Sequence, residues 1–252
     1  PYFKDSLKYI KELNYITSYM YLSKLDEYNE NYIEIIRNHI GRKNFKAPRT
    51  NNYILDMNTI LKYTIPFIPN LIKLDIRTCV FITEENYLFS NLSNTIEELN
   101  LSGIVNMKDS YIDIISQKCP NLRKIQVNHA TITDKSTLYL QRNKKLEICN
   151  LDVCSQLTDM GLNYLGNISS LRKINLDLCM KITDFGIQIL VMKNPNITHL
   201  SLQSTCISQR SIDSMIKYLH NPININLNYC NSGFLDISLL RKKCKFITNY
   251  HI

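Results

Sequence analysis

Eight cysteines, five histidines and 22 acidic residues are this chain's stock for metal, redox or acid–base chemistry, so their spacing decides what they can do. No two cysteines form the C-x-x-C pair that holds zinc or runs disulfide exchange. The six glycines make no G-x-G-x-x-G or phosphate loop, and no H-E-x-x-H pair or Ser/His/Asp set is present. His129, His199 and His251 fall on strand-like segments but in different columns or distant rows, whereas a metal site needs three or four converging ligands. The sequence therefore predicts no catalytic residue, no cofactor and no metal. Cys154 and Cys179, by contrast, recur one period apart, and so do Asp152 and Asp177. That recurrence is the informative feature.

The elements carrying these residues repeat. Leu146-x-x-Cys149-x-Leu151-x-x-Cys154 is followed by Leu171-x-x-Ile174-x-Leu176-x-x-Cys179, and each runs into Leu157-Thr158-Asp159-Met160-Gly161 or Ile182-Thr183-Asp184-Phe185-Gly186. Spreading the pattern places row starts at Thr17, Ile40, Leu71, Ile96, Leu122, Leu146, Leu171, Ile197, Pro222 and Ile247. The intervals lie between 23 and 26 residues apart from the second, of 31, whose excess we place in a loop over 48–56. Each row offers a short period-two strand, a Thr suited to cap a helix (Thr83, Thr133, Thr158, Thr183) and apolar residues at helical spacing, such as Tyr111, Ile112, Ile114 and Ile115. Pro69, Pro120 and Pro195, each followed by Asn, end the helical part. Residues 1–16, with helical spacing over Ser6 to Tyr15, read as the helical end of an incomplete row or an N-terminal cap, and 17–252 as about nine rows plus a final strand. Together they suggest an excised piece of a longer repeat protein.

Such rows bury their apolar faces only by stacking, so the expected fold is an α/β right-handed solenoid with a concave parallel sheet and convex helices. Strand alternation then assigns the concave wall. One column reads Asn100, Gln126, Asn150, Asn175, Ser201 and Asn226, suited to hydrogen bonding along the solenoid or to a bound peptide. Another holds Asn128, Asp152, Asp177 and Gln203, in which two carboxylates ~5 Å apart repel by roughly 0.8 kcal/mol in water. Lys124, Lys173 or a basic group of a partner would offset that repulsion. Glu97, Arg123, Glu147 and Arg172 alternate in sign and should pair between rows. Arg77 and Tyr229 complete the predicted contact residues.

The formal charge of +8 invites a nucleic-acid partner, but much of the excess sits at Lys4, Lys8 and Lys11 and at Arg241-Lys242-Lys243 with Lys245. A continuous basic strip with aromatic platforms is missing from the central face, so nucleic acid is disfavoured and a protein partner, basic at its contact point, is expected. No apolar run approaches the ~20 residues of a membrane span, and eight dilute thiols without zinc spacing suit a reducing, cytoplasmic or nuclear setting. The cysteine positions also accept Ile104, Ala130 and Thr205, which fits a small buried filler.

The rows resemble the cysteine-containing class of leucine-rich repeats, with Cys79, Cys154, Cys179 and Cys230 at the first cysteine position and Cys119 and Cys244 at the second. That class is similar to the substrate-receptor region of F-box proteins and to the mitotic-exit antagonist-like repeat proteins. The resemblance implies non-catalytic protein recognition, as a ubiquitin-ligase substrate receptor or a cell-cycle regulator. No F-box is legible in 1–52, so ligase docking would need sequence outside this chain. A cytoskeletal or organelle-assembly scaffold is the alternative.

Overall fold

The computed structural model describes the backbone of residues 12–14 and residues 70–77, 86–104, 106–230 and 235–248, with the side chains of 86–88 left aside. Nine short strands form one parallel sheet in chain order: β1 Glu12–Asn14, β2 Lys73–Asp75, β3 Glu98–Asn100, β4 Lys124–Gln126, β5 Ile148–Asn150, β6 Lys173–Asn175, β7 His199–Ser201, β8 Asn224–Asn226 and β9 Phe246–Thr248. From β3 onward a helix leads from each strand to the next: α1 Asp109–Lys118, α2 Asp134–Leu140, α3 Asp159–Leu165, α4 Asp184–Lys193, α5 Gln209–Tyr218 and α6 Ser238–Lys243. A 3-10 turn over Asn86–Asn91 stands in for the helix between β2 and β3. No helix among the described residues is long and apolar enough to cross a membrane.

The core is a set of one-residue columns. Leu71, Ile96, Leu122, Leu146, Leu171 and Ile197 lie at the row starts, and Leu74, Leu99, Ile125, Cys149, Ile174, Leu200 and Ile225 at the strand centres, all buried. Only the central residue of each strand from β2 to β8 points inward, so its two flanking residues reach the concave surface.

Helix starts explain the Thr-Asp pairs. Thr133, Thr158, Thr183 and Ser208 cap their own helices by accepting the amides of Lys135, Met160, Phe185 and Arg210. The next residue reaches across the stack. Asp109, Asp134, Asp159 and Asp184 each accept both the amide and the hydroxyl of the following row's Thr or Ser, at 2.6 to 2.9 Å. Asp109 and Asp184 also take the hydroxyls of Ser136 and Ser211. For Asp184, burial pushes the carboxyl up, but the Ser208 and Ser211 donors outweigh it and hold it below the usual value. Thr83 lies outside the described residues.

Two expectations at the ends change. Glu12–Asn14 is extended and pairs with Lys73–Asp75 where helix was predicted, because Ile10-x-x-Leu13-x-Tyr15 carries the same strand pattern as Ile96-x-x-Leu99-x-Leu101. At the other end Ile247 stands opposite Ile225, so it is a strand centre and not a row start. Cys244 caps α6 and β9 begins two residues later, whereas five residues separate the end of α1 from β4. The rows predicted at Thr17 and Ile40, the 48–56 loop and Cys79 lie outside the described residues.

Candidate concave recognition surface

The amide column is in register along the sheet: Asp75, Asn100, Gln126, Asn150, Asn175, Ser201, Asn226 and Thr248 are successive Cα partners. Its members do not form a continuous ladder. Instead the side-chain carbonyls of Asn100, Asn150, Asn175 and Asn226 accept the amides of Ser102, Asp152, Asp177 and Asn228 two residues on, closing Asx turns at 2.9 to 3.2 Å. These turns end each strand. Cross-row bonds leave the centre of the column aside: Asn100 donates to Asp75, Ser201 to Asp177, Asn226 to Ser201 and Gln203, and Thr248 to Asn226.

The residue after each turn has left-handed backbone: Gly103, His129, Val153, Leu178, Ser204 and Tyr229, with φ between 54° and 72°. Amides of the first five donate to carbonyls of the next row at 2.8 to 2.9 Å, which holds a conformation that L-residues other than Asn and Asp seldom adopt. His129 and Tyr229 therefore sit on this rim and not on strands, and Tyr229 is 44% exposed.

The acidic pair is compensated differently from the sequence expectation. Asp177 accepts the Ser201 hydroxyl at 2.6 Å and the Gln203 amide at 2.8 Å. Asp152 has no donor for its carboxylate among the described residues. Burial first, and then Asp177, push its acidity toward the neutral form, while His129 acts in the opposite sense. Neither Lys124 nor Lys173 pairs with either carboxylate; Lys124 lies 4.0 Å from Glu98, which also takes Lys73 at 3.2 Å. Of the alternating charges, Arg123 and Glu147 pair at 2.7 Å, whereas Arg172 donates to the carbonyls of Ser169 and Leu171. Arg77 is held on Asp75, and the buried side-chain carbonyl oxygen of Asn128 has no partner among the described residues.

An open groove of about 490 Å³ runs over β4 to β9. Gln126, Asn150, Asn175, Ser201 and Asn226 line it, and so does a column the sequence reading passed over: Lys124, Ile148, Lys173, His199 and Asn224. Period-two alternation would have found them, since each stands two residues before an amide-column member.

The buried thiols are structural. Cys154, Cys179 and Cys230 donate to the carbonyls of Val127, Leu151 and Leu202 in the preceding row, at 3.2 to 3.3 Å. Burial pushes Cys154 and Cys179 up to about 12, and all seven described cysteines are unpaired. Among the described residues no group of three His, Cys, Asp or Glu could hold a metal.

No family model matches the chain, and no curated protein matches it in sequence. Solved structures do match its shape. Internalin F of Listeria monocytogenes aligns over 77% of this chain and 54% of its own, with a TM-score of 0.56 and 19% identity. Internalin C2 of the same organism aligns over 74% and 84%, with a TM-score of 0.54 and 16% identity. A yeast complex of Rad7 with Elc1 aligns over 77% and 71% at a TM-score of 0.46 and 17% identity. Joined to the strand–cap–helix rows and the single parallel sheet, the internalin likeness establishes a leucine-rich-repeat solenoid.

Proposed function

We propose that the concave face is a non-catalytic protein-recognition surface. One observation carries this reading. An open groove of about 490 Å³ is walled by in-register polar columns from six consecutive strands, β4 to β9. Two residues beyond Asn150 of its wall, the half-buried Asp152 has no hydrogen-bond donor for its carboxylate among the described residues. A lysine or arginine of a partner would supply the missing donor and cancel the repulsion from Asp177. Substrate selection for a ubiquitin ligase or control of a cell-cycle step, in the cytoplasm or nucleus, rests on the resemblance of the rows to the cysteine-containing repeat class.

Gln126, Asp152 and Asn224 make no side-chain hydrogen bonds among the described residues, so changing them spares the scaffold. In a pull-down read by mass spectrometry, the Gln126→Ala, Asp152→Asn, Asn224→Ala triple is expected to lose specific partners while melting no lower than the wild type. An unchanged set of captured proteins would refute the reading. Stoichiometric capture of a large assembly that survives the triple substitution would favour a permanent scaffold role instead.

A further inference from the structure

The concave face is electrically polarised across its width. The first strand positions read Lys73, Glu98, Lys124, Ile148, Lys173, His199 and Asn224. Glu98 serves both Lys73 and Lys124, and among the described residues no carboxylate lies within 4 Å of the exposed Lys173. Past the Asx turns, four residues on from Ile148 and Lys173, stand Asp152 and Asp177. Neutral amides separate the two margins.

Lys173 and His199 are direct Cα partners on β6 and β7, and both line the groove. Thr198 Oγ1 lies 3.1 Å from the Arg172 carbonyl and 2.9 Å from His199 Nδ1, so one ring nitrogen is held on Thr198 and Nε2 is the other. A neutral ring carries a single N–H, whereas the imidazolium is a donor at both nitrogens and adds a positive charge to the Lys173 rung. Burial first, and then Lys173, disfavour the charged ring in the free protein. The strand on its other side presents the uncharged Asn224.

We infer that the Lys173–His199 rung is an anion seat for an acidic side chain of a protein partner, and that filling it draws one proton from solvent onto the His199 ring. The inference rests on the concave face being a protein-recognition surface. A partner segment would then carry an acidic residue for this rung and a basic one for Asp152, matching the polarity of the face.

The probe is a fluorescent, capped decapeptide of alternating Glu and Gly, titrated by anisotropy against the full chain at pH 7.5 and 5.5 with fixed salt. Wild type is expected to bind about fivefold more tightly at pH 5.5. Lys173→Gln should weaken binding about tenfold at both values, and His199→Gln should abolish the difference between them. The Arg241→Gln, Lys242→Gln double, on the distant basic helix, should leave affinity unchanged. Absence of binding, insensitivity to Lys173→Gln, or loss of binding in the Arg241/Lys242 double overturns the seat. Tighter, Lys173-dependent binding of a single-stranded oligonucleotide would overturn the assignment to a protein partner. If the Gln126/Asp152/Asn224 triple loses its captured proteins while Lys173→Gln leaves the peptide bound, the recognition face stands and the seat falls. If neither change matters, both fall.

Discussion

Asp152 combines partial burial, a neighbouring carboxylate and the lack of a donor among the described residues, and each disfavours its charge. Its pKa is raised on folding, so above the folded value the ionised group subtracts from stability. The penalty shrinks as pH falls through that value and is absent below the unfolded value of about 3.9. Asp152→Asn is therefore expected to stabilise the protein by about 0.2–1 kcal/mol at pH 7, with no gain near pH 3.5. Denaturant melts of both forms at the two pH values check this. The same increment at both would mean the charge is not the cause. The pairing of Asp152 with Asp177 was legible from their spacing of one row. The groups that attend them were not, because the Ser201 hydroxyl and Gln203 amide meet Asp177, and His129 acts on Asp152 electrostatically, through local geometry that periodicity does not encode.

At the scale of the element, each helix start is shared between two rows. The third helical residue is Ser136, Gly161, Gly186 or Ser211, small because the preceding row's aspartate lies against it. A Cβ on Gly186 would overlap Asp159 Oδ1 and stand 3.0 Å from Asp159 Cα, which is backbone and cannot step aside. Alanine normally improves a helix interior by about 0.5–1 kcal/mol over glycine. Here the overlap dislodges the Asp159 carboxylate from Thr183, so Gly186→Ala is expected to destabilise by about 1–3 kcal/mol net. Thermal or urea unfolding measures it, and a gain in stability would show that Asp159 moves freely. The Thr caps were readable from residue type and position. The aspartate clamp was not, since both partners had visible local reasons to be where they are.

At the scale of the molecule, each row touches chiefly its neighbours, and long-range order is assembled from nearest-neighbour terms. A double-mutant cycle between Asp159→Ala and Thr183→Val, joined by two hydrogen bonds, should show a coupling of about 0.5–3 kcal/mol. The cycle between Asp159→Ala and Ser208→Ala, two rows apart, should be additive within about 0.5 kcal/mol. Equal coupling in both cycles would mean that the stack responds as one block.

The sequence by itself determined the solenoid, because a row cannot bury its apolar columns alone and the repeat of those columns is written in residue types. It also determined which amides share a wall, because strand alternation and a fixed row length leave one register. Tertiary structure decided how those polar groups are spent: Asn150 and Asn175 on their own turns, Asp177 on Ser201 and Gln203, Arg123 on Glu147. It put Lys173 and His199 in the wall of one open groove and left the half-buried Asp152 without a donor for its carboxylate among the described residues. Hydrogen bonds are settled over a few tenths of an ångström, and a pattern of apolar spacings carries no information at that resolution.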